Sequence, residues 1–342
     1  MMTWKDCLGA GVLDWLLEED PQNPSIRYFM LTNLIGEAPT SKNVLSARNL
    51  LMAVGSIPEI LSHQHEDGYW EEPGAGYRPK YTSTVWSLIM LAQLGADGSD
   101  ARVRKACEYV LSHTRAKQGC FSIYATQTGA VHCLQGNLAA ALVDLDTTGD
   151  PRLDAAVDWM ARSVTGEGFG SVKEKNKEPH YIRSGISGPG FLCSANDHQN
   201  CAWGAVKVAL ALSKIPEKNR SRQVDQARTA CIDFLLSKDP AEADYPHPYA
   251  KKPSGSWFKF GFPVFYVTDL LQNLSALLGL GLGNDPRLQN TIDLVKSKQN
   301  AEGKWLMEYT YNGKTWVDIE EKRQPSKWVT YRALSVIKKY AQ

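Results

Sequence analysis

Four segments of the chain repeat one pattern of polar and apolar positions. Each begins at a polar residue suited to a helix start and continues with helical apolar spacing on one side and charge on the other. These segments start at Asp100, Asp150, Gln223 and Asp285. Each follows a stretch that is apolar on nearly all sides, and those stretches start at Tyr81, Gly136, Trp203 and Leu270. A helix that is apolar all round is enclosed, so the pattern predicts alternating inner and outer helices.

The repetition extends over the whole chain. Further helical segments at 45–63 and 326–341 give roughly six pairs of helices, at a spacing of about 40 to 70 residues. Six such pairs can close into a ring and bury both ends of the array. We therefore predict an all-α fold, a single α/α toroid spanning residues 1–342. Residues 1–40 are expected to form an N-terminal helical hairpin packed on the ring or completing it.

Connections between the predicted helices differ in length in a regular way. Those from an inner to an outer helix are short, whereas those from an outer helix to the next inner helix are long. The long connections are 64–80, 113–131, 165–200, 239–266 and 299–325. All of them must lie on one rim of the ring, which also holds the N-termini of the inner helices. Long loops on a rigid scaffold commonly carry function, so we expect the functional site on this rim.

Two short sequences resemble a known repeat. "QHEDGYW" (Gln64–Trp70) and "QNAEGKW" (Gln299–Trp305) are similar to the Gln-Trp repeat of squalene and terpenoid cyclases. The resemblance implies an α/α barrel, as in those cyclases and in protein prenyltransferase β subunits. An amide and an indole can tie a helix end to the next turn, so these residues are expected to be structural rather than catalytic.

Composition narrows the classes of function. The 342 residues are 43% hydrophobic and 22% charged, with a formal net charge of +1, so nucleic acids and membrane surfaces are not predicted partners. The first residues lack a basic-then-apolar leader, and no run approaches the ~18 apolar residues of a membrane span. We therefore expect a cytoplasmic protein, without stable membrane insertion, that acts on a small molecule. Seven cysteines, an odd number, favour free thiols or metal ligands over a disulfide framework.

Alignment of the repeats separates the cysteines into two groups. Cys107 and Cys231 occupy equivalent positions in outer helices, where the other repeats have alanine or threonine, which indicates packing residues. Cys133 and Cys201 occupy equivalent positions at the starts of successive inner helices. Adjacent helices present them to the same rim, and His198 lies three residues before Cys201.

A metal site is the leading interpretation of this rim. Thiolate and imidazole ligands from Cys133, Cys201 and His198 suit Zn²⁺. Cys193 decides whether this zinc site is structural or catalytic. If Cys193 is a fourth protein ligand, the site is closed and structural; if it is not, the open position makes the site catalytic. Packing cysteines and a thiol nucleophile stay open as alternatives. The ligand set is similar to that of lanthionine cyclases, which bind zinc with two Cys and a His at inner-helix ends, although "HQNC" differs from that family's adjacent Cys-His pair.

Zinc chemistry at this rim leads to a predicted function. A zinc ion with three protein ligands lowers the pKa of bound water toward ~7 and polarises carbonyl or phosphoryl oxygens. We predict a zinc-dependent hydrolase that cleaves an ester or phosphoester of a small, partly lipophilic substrate. The groups expected to act as general base, orienting group or catalytic support are Asp197, His132, Tyr266 and Lys327. The side chains expected to bind substrate are Trp86, Trp203, Phe262, Trp328 and Arg183.

Two other functions stay open. The first is a terpenoid cyclase or prenyl-transfer enzyme acting on an isoprenoid, as the family resemblance implies. Class II cyclases of that family use an Asp-x-Asp-Asp acid, but "DLDTT" (Asp144–Thr148) lacks the last aspartate and falls on the short-loop rim. The second is a binding toroid without catalysis, in which zinc is structural.

Overall fold

Helices form most of the regular structure. A computed structural model of the chain describes residues 4–167, 169–170, 181–182, 187–247 and 252–342. Within these ranges the strands are two short pairs: β1 (Phe169–Gly170) parallel to β2 (Tyr181–Ile182), and β3 (Leu192–Cys193) antiparallel to β4 (Gln199–Asn200). The predicted all-α class is confirmed.

The N-terminal region is helical from residue 4 onward. Its α-helices are α1 (Val12–Leu17), α2 (Pro24–Phe29), α3 (Lys42–Ala53) and α4 (Ser56–Ser62). Helix α2 continues directly into a π-helix, Met30–Ile35. Helices α3 and α4 together form Lys42–Ser62, which is long and apolar enough by composition to cross a bilayer. Its most apolar 18-residue stretch is 33% buried in the fold.

The remaining α-helices alternate between the inside and the outside of the fold. In chain order they are α5 (Thr84–Gln93), α6 (Ala101–His113), α7 (His132–Asp144), α8 (Pro151–Thr165), α9 (Ala202–Lys214), α10 (Arg222–Leu235), α11 (Leu270–Gly279), α12 (Gln289–Ser297) and α13 (Lys327–Tyr340). Of these helices, the odd-numbered ones are buried along most of their length, as α5 is from Thr84 to Ala92. The even-numbered helices bury one face. The predicted inner and outer sets are therefore confirmed.

The inner helices pack in chain order around a ring. Helix α5 contacts α7, α7 contacts α9, α9 contacts α11, and α11 contacts α13. Helix α13 also contacts α2 and the π-helix, and Tyr331 stacks on Phe29 with ring centroids 5.4 Å apart. Phe29 in turn lies against Gly95, just beyond α5. The N-terminal helices thus close the ring, and one hydrophobic cluster runs through it from Trp4 to Ile337.

Aspartates start the outer helical segments as the repeats predict. The side chains of Asp100, Asp150 and Asp285 each accept a hydrogen bond from the backbone N–H two residues on. That residue is an arginine in all three places, and its guanidinium pairs back with the same aspartate. Each cap satisfies an N–H group that a helix start leaves unpaired, which is typically worth ~1 kcal/mol.

The Gln-Trp sequences tie outer helices to the inner helices that follow them. The Trp70 indole N–H donates to the Ile60 carbonyl in α4 at 2.8 Å, and the Trp70 backbone N–H donates to Thr84 Oγ1 in α5 at 3.0 Å. Trp305 repeats both bonds, to the Val295 carbonyl in α12 at 2.7 Å and to a threonine of α13 at 3.0 Å. The structural role expected of these sequences is confirmed.

Candidate functional site

A segment of the long connection before α11 passes through the middle of the ring. We call residues 260–269 the plug. Phe262 and Val264 line a cavity on one side of the plug, and Tyr266 lines a second cavity on the other side. The Gln93 amide in α5 donates to the Val264 carbonyl and accepts from the Val264 N–H, both at 2.8 Å. The plug is therefore held in place and divides the interior in two.

The first cavity has a volume of about 690 Å³ and lies on the side of the short loops. We call it the polar cavity, because charged pairs line it: Arg48 with Asp97 at 2.6 Å and Lys214 with Asp144 at 2.7 Å. Asp146 also lines it. The "DLDTT" sequence thus faces the polar cavity, on the rim where the loop lengths had placed it.

The second cavity has a volume of about 510 Å³ and is built from the long connections. We call it the thiol cavity. Among the described residues, seven tyrosine and tryptophan rings line it, those of Tyr77, Tyr81, Trp86, Trp203, Tyr245, Trp257 and Tyr266. Three thiols share the same walls, those of Cys133, Cys193 and Cys201. The long-loop rim therefore does hold a ligand-sized cavity, and both helix-start cysteines open into it.

Trp86 sits at the centre of the aromatic wall. Its indole N–H donates to the Tyr77 carbonyl at 2.8 Å, and its ring centroid lies 5.0 Å from that of Tyr266 and 5.2 Å from those of Tyr77 and Tyr81. Burial, together with the neighbouring Tyr77 phenol, raises the pKa of Tyr266 well above its usual value of 10.0. Tyr266 therefore stays protonated and contributes an apolar ring rather than a charge.

The close approach of two inner helices brings the thiols together. Cys133 lies in the first turn of α7, and Cys201 is the N-cap residue of α9. A Cβ at Gly136 in α7 would collide with the backbone of Lys207 in α9. A Cβ at Gly204 would lie 3.1 Å from a side-chain carbon of α7. The two glycines therefore let α7 and α9 pack backbone to backbone, which places both helix starts against one cavity.

Cys193 reaches the same cavity from a tight loop. The loop runs from β3 to β4 and has left-handed residues at Asp197, φ 52°, and His198, φ 57°. The Asn196 amide closes it by donating to the Asn200 carbonyl at 2.9 Å and to the Pro246 carbonyl at 3.1 Å. These bonds hold the loop against the connection before α11. Cys193 is buried at its base, while Asp197 and His198 are exposed at its tip.

Hydrogen bonds make Cys193 and Cys201 unequal. The Cys201 thiol donates to the Cys193 sulfur, as do the backbone N–H groups of Ala195 and Asn196, and these bonds lower the pKa of Cys193 below its usual 9.0 against the opposing effect of burial. The same bond, with burial, raises the pKa of Cys201 far above 9.0. The opposite shifts of the two pKa values favour a thiolate at Cys193 beside a protonated Cys201.

Cys133, in the cavity wall, and the fully buried Lys207 are close enough to affect each other's pKa. Burial raises the pKa of Cys133 to about 12, so this thiol stays protonated. Lys207 lies in α9 and is fully buried, and its ammonium donates to the Gln272 amide oxygen. Burial lowers the pKa of Lys207 to about 7, with smaller effects from the nearby Cys133 and Asp269. A lysine of this kind is half neutral at physiological pH.

Of the four residues predicted to be catalytic, Tyr266 lines the thiol cavity, whereas Asp197, His132 and Lys327 do not. The His132 ring is buried, with Nε2 2.9 Å from Ser163 Oγ on α8, so it points between helices rather than into the cavity. Burial lowers the pKa of His132 to about 4, so the ring is neutral. Lys327 pairs instead with Glu18 at 2.6 Å and Asp20 at 2.7 Å, beside the N-terminal helices. The structure thus gives His132 and Lys327 structural partners.

The predicted substrate-binding residues divide between the two cavities. Trp86 and Trp203 line the thiol cavity. Phe262 and Trp328 line the polar cavity and stack on each other, with ring centroids 3.7 Å apart and planes at 6°. They lie there because the plug turns inward and carries Phe262 past the start of α13. Arg183 lies outside the residues that the structure describes.

The predicted zinc ligands converge only in part. Cys133, Cys193 and Cys201 line one cavity, but His198 is exposed at the tip of its loop. Across the described residues, no group of three or more His, Cys, Asp or Glu side chains is arranged to hold a metal ion. The zinc prediction, and with it the lanthionine-cyclase-like ligand set, therefore gains no support from the geometry. Cys193 interacts with Cys201, and its part in a zinc site stays a prediction.

Several residues of the cavity were missed by sequence reasoning. Tyr245, His247 and Trp257 line the thiol cavity from the long connection before α11, where no periodic pattern marks them. Lys207 did leave a signal, because it is the only charged residue in the apolar stretch "WGAVKVALAL". A lone lysine inside an enclosed helix indicates a buried amine, and buried amines are frequent at functional sites.

Comparison with known proteins identifies no family. No protein-family model matches the chain, and no curated protein matches it. Among solved structures, a protein from Actinoplanes is 13% identical with a TM-score of 0.44, over 93% of this chain and 90% of that one. The type II terpene cyclase MstE from Scytonema is 13% identical with a TM-score of 0.30, over 87% of this chain and 97% of that one. These scores are too low to carry an argument, so function has to be inferred from the cavity.

Proposed function

We propose that the chain is an enzyme that cleaves or transfers an ester of a largely apolar, isoprenoid-like molecule in the thiol cavity, with Cys193 as nucleophile. The observation that carries this proposal is the position of Cys193, whose pKa is lowered by its hydrogen bonds, in the wall of a cavity that also carries tyrosine and tryptophan rings. A volume of about 510 Å³ suits a small-molecule ligand. The described lining residues include Lys80 but no carboxylate, which disfavours a cationic substrate.

The reaction has two steps. The Cys193 sulfur attacks the ester carbonyl carbon, so a C–S bond forms while the C–O bond breaks and an alkoxide leaves. The alkoxide takes up a proton, and we assign its donation to His247, whose imidazole lies in the wall of the same cavity. Water then attacks the thioester and gives a proton to His247, which releases the acid and restores both the Cys193 thiolate and the proton on His247. When an alcohol replaces water, the same steps transfer the acyl group.

The residues around Cys193 have separate roles in this scheme. Cys201 and the N–H groups of Ala195 and Asn196 hold the thiolate before attack, so that it is present at neutral pH. Trp86 and Trp203 form part of the wall against which an apolar chain packs. The aromatic walls select the substrate, and the sulfur reacts with it.

Hydrolysis of p-nitrophenyl esters with short and long acyl chains tests this proposal. The wild type should prefer p-nitrophenyl laurate to the acetate, and Cys193→Ser should lower kcat for laurate by ~1,000-fold or more. Trp203→Ala should reduce the preference for laurate by about tenfold. Cys7→Ser is the matched control, because Cys7 is a half-buried thiol outside the cavity. Full activity in Cys193→Ser would sink the proposal.

Cyclisation of an isoprenoid is a second candidate. The aromatic faces of the thiol cavity favour it, because such faces stabilise carbocations. A class II reaction also needs an acid to protonate the alkene, and Asp146 lies across the plug in the polar cavity. Incubation of squalene with the wild type, Cys193→Ser and Asp146→Asn separates the two functions. A cyclic product that survives Cys193→Ser, without ester hydrolysis by the wild type, would favour cyclisation.

Metal removal separates the proposed thiolate enzyme from the zinc-dependent hydrolase predicted from the sequence. A thiolate nucleophile needs no metal, so we expect EDTA treatment and buffer exchange to leave laurate hydrolysis unchanged. Metal analysis of the same sample gives the zinc content per chain. Loss of activity on chelation, with recovery when zinc is added back, would replace the thiolate proposal with the zinc one.

A further inference from the structure

Cys193 and Cys201 lie on one face of the β3–β4 ribbon. Cys193 pairs with Gln199, and Cys201 follows Gln199 by two residues. Side chains two apart on a strand point to the same face, so the two cysteines are diagonal neighbours. Both backbones are extended, with φ and ψ of −142° and 127° at Cys193 and −101° and 110° at Cys201. The Cys201 N–H donates to the Phe191 carbonyl at 2.7 Å, which fixes this register.

The side chains of Cys193 and Cys201 interact, and this interaction shifts their pKa values in opposite directions. The Cys201 thiol donates its hydrogen bond directly to the Cys193 sulfur, and two backbone N–H groups donate to the same sulfur. Both side chains line the thiol cavity, which is large enough to admit small molecules. Two neighbouring cysteines that open to one cavity are the arrangement in which one of them, once oxidised, is captured by the other.

We propose that Cys193 is a site of oxidation by hydroperoxides and that Cys201 resolves it to a disulfide. The Cys193 thiolate attacks one oxygen of hydrogen peroxide, the O–O bond breaks, and the leaving hydroxide takes up a proton to become water. The Cys201 sulfur then attacks the resulting sulfenic acid, the S–O bond breaks, and its hydroxide leaves as water with the Cys201 proton. Two thiols lose two electrons in total, and the peroxide gains them.

Cys133 is the alternative disulfide partner for an oxidised Cys193, because it lines the same cavity. It belongs to the first turn of α7, a buried helix, whereas Cys193 and Cys201 share one short ribbon at the rim. Forming an S–S bond between Cys193 and Cys201 needs movement only within that ribbon and its loop. The inference does not rest on the proposed ester cleavage. If both hold, oxidation of Cys193 and Cys201 to a disulfide removes the thiolate that attacks the ester.

Peroxide treatment of the reduced, full-length protein tests the inference. Free thiols are blocked with N-ethylmaleimide, and tryptic peptides are weighed by mass spectrometry. One peptide, residues 184–207, holds both cysteines and no other. After peroxide treatment this peptide should carry no maleimide and weigh two hydrogens less than the unlabelled, reduced peptide. We expect this form to appear at least ~10-fold faster than any other cysteine loses its labelling. Dithiothreitol should restore full labelling.

Two variants separate the steps. In Cys201→Ser, Cys193 should stop at the sulfenic acid, which dimedone traps. In Cys193→Ser, Cys201 should keep its maleimide label. The inference is overturned if the peptide stays labelled while other cysteines oxidise, if Cys133 is found bonded to either partner, or if Cys201→Ser gives no dimedone adduct. None of these results depends on ester hydrolysis, so failure of the esterase assay leaves this test unaffected.

Discussion

Replacing Lys207 with methionine should stabilise the protein, and most strongly at low pH. The Lys207 side chain is fully buried in α9. Its ammonium donates to the Gln272 amide oxygen, which also accepts a bond from Thr268 Oγ1 at 2.7 Å. Burial lowers the pKa of Lys207 from 10.5 to about 7. The folded protein therefore binds this proton more weakly than the unfolded chain does.

Linkage between protonation and folding fixes the sign and size of the effect. The unfolded chain keeps the proton up to about pH 10.5 and the folded protein only up to about pH 7, so the free energy of unfolding rises with pH between these values. The lowered pKa corresponds to a cost of about 5 kcal/mol below pH 7, of which about 2 kcal/mol is left at pH 9. Between pH 6 and pH 9 the wild type should therefore regain about 3 kcal/mol from this residue.

Urea unfolding at pH 6 and pH 9, followed by circular dichroism, measures this difference. Methionine has a similar volume and no charge, and Thr268 still donates to Gln272. We expect Lys207→Met to exceed the wild type in unfolding free energy by ~2–4 kcal/mol at pH 6, and this advantage to shrink by ~2–3 kcal/mol at pH 9. Lys218→Met, at an exposed position, is the control and should show no such change. A difference independent of pH, or a variant less stable at pH 6, would refute the reasoning.

Two further predictions concern packing and use the same urea titration. Gly136→Ala places a methyl group against the Lys207 backbone, so it should lower the unfolding free energy by ~1–3 kcal/mol. Gly255→Ala, which meets open space, should be neutral. Trp70→Phe removes the indole donor to the buried Ile60 carbonyl and should cost ~1–3 kcal/mol. A neutral Gly136→Ala or Trp70→Phe would mean that the corresponding contact contributes little.

The alternation of inner and outer helices could be predicted because its causes are local. Each inner helix is an unbroken apolar run, and outer segments begin at a capping aspartate such as Asp100 or Asp150. Loop lengths then fix which rim carries the site. Equivalent positions in successive repeats bring Cys133 and Cys201 to that rim, and both do line one cavity.

The interior of the site could not be predicted because its causes are distant in sequence. The plug is held by Gln93, which lies far earlier in the chain than its partner Val264. His132 turns away from the cavity because Ser163 on α8 offers it a buried partner. The sequence left open whether Cys193 binds a metal, and the interaction of its sulfur with Cys201 depends on the conformation of its own loop. No helical or strand periodicity encodes such contacts.

The rate at which iodoacetamide alkylates each cysteine, measured by peptide mass spectrometry across a pH series, tests the Cys193 thiolate most directly. The pKa of Cys193 lies below that of an ordinary thiol, so alkylation of Cys193 should already be near its plateau at pH 8 and should exceed that of Cys7 by at least ~10-fold at pH 7. Farnesol, an apolar isoprenoid alcohol, should slow the alkylation of Cys193 by occupying the cavity. Alkylation of Cys193 that is no faster than that of Cys7, rises only near pH 9 and is indifferent to farnesol would contradict a reactive thiolate in an apolar site.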